Sequence, residues 1–164
     1  MSGQSIKLTI DKRSIATLTL NRPEVHNAVS LEMIREMRKI IAELNLNPEP
    51  RGVILTGAGK TFCAGMDLRW MQKISTQKRA NRIAEATELS EMLNELDRLN
   101  KPLIGKINGH SFGGAIGLIS CCDFAVAADC LLYTSDAADD RYSVDLGGSR
   151  IIKKKKWEGG EGGG

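Results

Sequence analysis

Two short, continuously apolar runs, Gly52 to Thr56 and Leu103 to Ile107, each give way to a stretch crowded with small residues: "KTFCAGMDLRW" after the first and "NGHSFGGAIGLISCCD" after the second. Runs without polar alternation are the kind of strand that is buried on both faces. A strand, a glycine-containing loop and a helix, repeated along the chain, predict an α/β fold. Glycine and alanine at such junctions allow bare backbone amides to come close to a ligand, and equally allow a helix to pack tightly. Either motif alone fits the packing role.

The remaining segments fit the same architecture. Ile6 to Ile10 and Ile15 to Leu20 alternate apolar and polar residues about Asp11-Lys-Arg-Ser14, which predicts a β-hairpin. Ser30 is placed to cap a helix whose apolar face is Leu31, Ile34, Met37, Ile41 and Leu44, ended by Asn47-Pro48. Arg79 to Leu99 predicts a second amphipathic helix with the stripe Ile83, Leu89, Met92, Leu93 and Leu96, and Phe124 to Ala128 a last strand. Beyond Cys130 no period persists. A Gly-rich segment carrying Lys153 to Lys156 buries too little apolar surface to offset its ordering entropy, so most of it is expected to be disordered.

At 164 residues and 41% apolar, the chain has the means for one ordinary core. Its net charge of +3 is spread along helices of alternating sign, which argues against a nucleic-acid surface. The four-lysine run would give salt-sensitive, sequence-blind attraction at most. No run approaches the roughly 18 apolar residues that span a membrane, and no apolar leader opens the chain, so a cytoplasmic protein with no membrane partner is expected. Cys63, Cys121, Cys122 and Cys130 lack C-x-x-C spacing and suit reduced thiols. With only His26 and His110 to join them, no metal site is expected.

"GAGKT", Gly57 to Thr61, invites a phosphate-loop reading, but the first glycine of that motif is absent because position 54 is Ile. A flexible turn is the expectation. The pair of small-residue motifs says more, since two backbone amides converging on one point would form an oxyanion hole.

Together with "LNRPEVHNA" ahead of a helix, the two motifs occur in an order that resembles the enoyl-CoA hydratase/isomerase superfamily, the crotonase fold, from about Ile6 to Asp129. "FCAGMDLRWM" and "GGAIGLISCCDFAVA" are most similar to methylglutaconyl-CoA or carboxygeranoyl-CoA hydratase-type members. The resemblance implies a spiral of repeated ββα units, of which residues 1–129 form the N-terminal part. It implies that the amides of Ala64 and Gly114 bind the thioester carbonyl oxygen of an acyl-CoA, that the backbone of Met66, Asp67 and Leu68 lies near the CoA adenine, and that Val25 to Ala28 contact the CoA nucleotide. Coenzyme A would be part of the substrate, with no separate cofactor, and the full-length form would be a homotrimer or hexamer.

Hydration of a 2-enoyl-CoA in this family resembles a two-carboxylate mechanism. The first glutamate position is occupied here by Gly117, and the second would follow the strand ending near Ala128. "CLLYTSDAADD" resembles a translated sequencing-adapter read-through, so residues 130–164 are expected to be no natural part of the protein. An enoyl-CoA isomerase, which works with the later carboxylate alone, and a non-catalytic acyl-CoA-binding or interaction fragment are the alternatives. His110 fits an acyl-pocket lining and a surface loop equally.

Overall fold

Asp11 closes the first turn. Its carboxylate accepts the amides of Arg13 and Ile15 at 2.9 and 3.0 Å, and strands β1 (Ile6–Ile10) and β2 (Ile15–Leu20) pair antiparallel on either side of it. In this computed structural model the described residues are 4–128, together with the backbone of Tyr133–Thr134 and Arg150–Lys153. After β2 come a 3₁₀ turn (Pro23–Val25), helix α1 (Leu31–Leu46), strands β3 (Gly52–Gly57) and β4 (Thr61–Cys63), and helices α2 (Leu68–Ser75) and α3 (Arg79–Asp97). Strands β5 (Leu103–Ile107) and β6 (His110–Phe112), helix α4 (Ala115–Ser120), and strands β7 (Phe124–Ala127), β8 (Tyr133–Thr134) and β9 (Arg150–Lys153) complete the order.

The strands form two sheets. One runs β1-β2-β3-β5-β7-β9, parallel from β2 to β7 and antiparallel at both ends, and the other runs β4-β6-β8, all parallel. Consecutive strand pairs therefore divide between the sheets: β3 and β5 enter the large one while β4 and β6 enter the small one, and helices follow each pair. This is a spiral of ββα units.

Ser30 caps α1, its Oγ accepting the Met33 amide at 3.2 Å. The buried face of α1 is Met33, Ile34, Met37, Ile41 and Leu44, which packs with Met92 and Leu96 of α3 against Ala16, Leu18, Leu20, Val53, Leu55 and Leu103 of the large sheet. Two bidentate pairs tie the helices together at their rim: Arg35 to Glu88, and Arg38 to Glu95 with Glu91 beside it. The predicted stripe of α3 is shorter than expected. Ile83 is 55% exposed.

Of the tail, where disorder is expected for the most part, Arg150–Lys153 lies along β7 and Tyr133–Thr134 along β6. The rest of 130–164 lies outside the described residues.

Candidate functional site

The loop Arg22 to Val29 is held in an unusual backbone path by Asn27. Both His26 and Asn27 are left-handed, with φ of 53° and 57°, a region that asparagine tolerates better than most residues. The Asn27 side chain is fully buried and fully bonded. Its Oδ1 accepts the Arg22 amide at 2.9 Å, and its Nδ2 donates to the carbonyls of Ala58 and Thr61 at 2.8 Å each. One side chain thus fastens the loop to the turn between β3 and β4, which is where "GAGKT" lies. On that same turn Asn108 accepts the Gly57 amide and donates to the Gly59 carbonyl, both at 2.9 Å, so the loop after β5 joins the cluster.

Beyond Asn27 the loop runs alongside the first small-residue motif as a parallel bridge between Val29 and Met66. The Val29 amide donates to the Gly65 carbonyl at 2.7 Å, and the Asp67 amide to the Val29 carbonyl at 2.9 Å. That ladder leaves the amide of Met66 itself unused. The Ala64 amide, in contrast, donates to the His26 carbonyl at 2.9 Å. Ala64 therefore cannot offer the amide expected of it while this loop is in place, a departure produced by the left-handed carbonyl of His26.

The second motif approaches from the other side. A Cβ built on Gly65 (φ +88°) would lie 2.7 Å from the Phe112 carbonyl oxygen and 3.2 Å from the Gly114 nitrogen, so this contact requires glycine. A Cβ built on Gly114 would lie 3.2 Å from the Met66 sulfur and 3.6 Å from the Met66 amide nitrogen. By covalent geometry the two amide nitrogens stand at most about 6 Å apart. Two N–H donors reaching one oxygen at roughly 2.7–3.1 Å each require that same limit. Among the described residues neither amide donates a hydrogen bond, and Gly114 is exposed.

Asp67 caps α2, accepting the amides of Arg69 at 2.9 Å and Trp70 at 3.5 Å. It also pairs with Arg22, N to O 2.9 Å, while a second guanidinium nitrogen of Arg22 donates to the Ala28 carbonyl at 2.7 Å. Burial disfavours the Asp67 carboxylate, but Arg22 and the two amides outweigh it and hold the carboxyl below its ordinary range. The Cys63 thiol, bracketed by the Gly65 backbone, is pushed up to about 11 by burial and is no nucleophile near neutral pH. Val25 is half-buried in the 3₁₀ turn, Ala28 is buried against Arg22, and Leu68 is 74% exposed at the start of α2. His110 opens β6 half-buried, its ring 6.0 Å from that of Phe112. Gly117 faces α3, where a Cβ would touch Leu93 at 3.4 and 3.5 Å. Among the described residues no three acidic, histidine or cysteine side chains gather to hold a metal ion, and no helix is long and apolar enough to cross a membrane.

The sequence model of the family described as enoyl-CoA hydratase/isomerase matches residues 11–138. The chain belongs to the enoyl-CoA hydratase/isomerase family. It is 40% identical to YngF of Bacillus subtilis over 129 residues, covering 77% of this chain and 48% of that protein. It is 32% identical to the peroxisomal Delta(3,5)-Delta(2,4)-dienoyl-CoA isomerase of Arabidopsis thaliana, covering 82% and 51%. Among solved structures it resembles an enoyl-CoA hydratase from Shewanella pealeana with a TM-score of 0.74 and 35% identity, covering 77% of this chain and 47% of that one. The chain spans about half the length of the relatives it matches. The ββα spiral is the crotonase-like α/β fold of this family.

Two features of the site lie outside the sequence-based expectation. Met66 is expected on the CoA side only, yet among the described residues its amide is the one left open beside Gly114. Neither carried a signal in the sequence: the Met66 amide is left open by an isolated bridge to Val29, and Asn27 fastens the loop to carbonyls more than thirty residues further along the chain.

Proposed function

We propose that this chain forms the acyl-CoA-gripping part of an enoyl-CoA hydratase-type enzyme that adds water across the double bond of a 2-enoyl-CoA. The observation that carries the reading is the pair of unengaged amides at Met66 and Gly114, close enough to share one oxygen. A thioester carbonyl placed between them would have its developing enolate charge held by two fixed dipoles, each worth about 3 kcal/mol of barrier. Ala64 then supports the site through its bond to His26 instead of donating to substrate. The backbone of Val25 to Ala28 and of Met66 to Leu68, fastened to each other by the Val29 bridge, would receive the CoA nucleotide. Methylglutaconyl-CoA or carboxygeranoyl-CoA is the substrate type we favour, in a cytoplasmic homotrimer or hexamer, with residues 130–164 outside the acyl-CoA-binding core.

A second reading, an enoyl-CoA isomerase, is favoured by one observation: Gly117 occupies the place of the first carboxylate and cannot transfer a proton. Crotonyl-CoA separates the two on a gene carrying the full family length. A hydratase removes the absorbance of the conjugated thioester, whereas an isomerase leaves it and instead generates that absorbance from a 3-enoyl-CoA. For the 164-residue chain, titration with a non-reactive acyl-CoA thioester tests the grip itself. Binding that survives hydrolysis of the thioester to free acid and CoA unchanged would contradict a role for the carbonyl.

A further inference from the structure

Arg22 and Asp67 form the one ion pair among the described residues in which both partners are largely shielded, with side-chain exposures of 22% and 11%. The remaining pairs lie at the surface, on the first turn or between α1 and α3. Helix capping alone does not call for it. The Asp67 oxygen that caps α2 is Oδ1, bonded to the amides of Arg69 and Trp70, whereas Arg22 holds Oδ2. An asparagine would cap as well and would bring no charge.

The position of that charge is the relevant point. Asp67 directly follows Met66, which puts its charge one residue from the amide proposed to receive a carbonyl oxygen that gains negative charge. An anion so close would oppose that charge. Arg22 reaches the carboxylate from the loop on the opposite side and, through its other nitrogen, holds the Ala28 carbonyl next to the Val29 bridge that orients Met66.

We infer that Arg22 is a positioning residue for the thioester-binding amides, cancelling the Asp67 charge at the Met66 amide while clamping the loop that aims it. This rests on the reading of Met66 and Gly114 as the oxygen-binding pair. It predicts that carbonyl polarisation, and not merely folding, depends on Arg22.

The test uses the 164-residue chain and a chromophoric conjugated thioester, 4-dimethylaminocinnamoyl-CoA, whose absorption moves to the red when its carbonyl oxygen is polarised. Spectra are taken at saturating protein, so that changes of affinity do not enter. Arg22→Met is expected to lose most of the red shift while the probe stays bound, and Arg22→Met combined with Asp67→Asn is expected to regain it, because the uncompensated charge is gone. A purely structural role would leave the double variant as low as the single one or lower, and that result overturns the inference, as does a full shift in Arg22→Met. If Arg22→Met does not fold, Asp67→Asn alone decides: a shift equal to or larger than that of the unaltered chain supports the inference, and a smaller one overturns it. Arg35→Met, which breaks the surface pair with Glu88, serves as the control and should leave the shift unchanged. No shift in the unaltered chain overturns the oxygen-binding reading itself, and this inference with it.

Discussion

Single atoms decide the site. At Gly114 a side chain would project toward Met66, its first carbon 3.6 Å from the amide nitrogen and 3.2 Å from the sulfur. Gly114→Val should therefore fill the space proposed for the carbonyl oxygen. In the full-length enzyme the expected loss is about 10²–10³ in kcat, the usual effect of removing one oxyanion donor, with folding intact by circular dichroism because the residue is exposed. Asn27→Asp replaces the donor that serves two carbonyls with a carboxylate facing them. Leaving those carbonyls unsatisfied and burying a charge among them should cost roughly 2–4 kcal/mol in urea denaturation, and acidification should recover part of it by restoring one O–H donor. The glycines were legible as places of close approach because only their lack of a side chain matters there. Which of the Ala64 and Met66 amides stays open was not, since that depends on the carbonyl of His26, which takes the Ala64 amide from 38 residues earlier in the chain and is brought in by a left-handed turn.

Among the elements, those with their own local signal were legible: the β1–β2 hairpin, the Ser30-capped α1, and strands β3, β5 and β7 with their continuous apolar character. The strands β4 and β6 were not, being three residues each inside loops read as glycine-rich connections; their backbone groups pair only because the spiral brings Thr61 opposite His110 and Cys63 opposite Ser111. Helix α2 was hidden for a related reason. It is only eight residues long, capped by Asp67 and tied to α3 by Trp70, whose indole N–H donates to Glu85. The Asp67 contribution has a sign in pH. With the folded-state pKa held below the unfolded one, its stabilisation is complete above the ordinary aspartate value of about 4 and fades as the pH falls through the folded value. Asp67→Asn should thus flatten the acid limb of a plot of unfolding free energy against pH, with little change in shape near neutrality.

At the scale of the whole molecule, the large sheet packs α1 and α3 against the face of Ala16, Leu18, Val53, Leu55 and Leu103. On the other, cross-strand register aligns Thr17, Ile54, Ile104 and Phe124 in one row, and Ile104, Phe124 and Val126 are 37%, 42% and 39% exposed. An apolar patch open to water favours association of copies. Sedimentation velocity of the 164-residue chain should show mass rising with concentration, and the double change Phe124→Lys with Val126→Thr should suppress it without lowering the melting temperature. The two-sheet division has an effect of another kind. Met66 follows one coil of the spiral and Gly114 the next, so a thioester held by both would act as a rivet through adjacent windings. Amide hydrogen exchange in β4 and β6 should slow together when such a ligand is present, and the hairpin at the start of the chain should feel nothing.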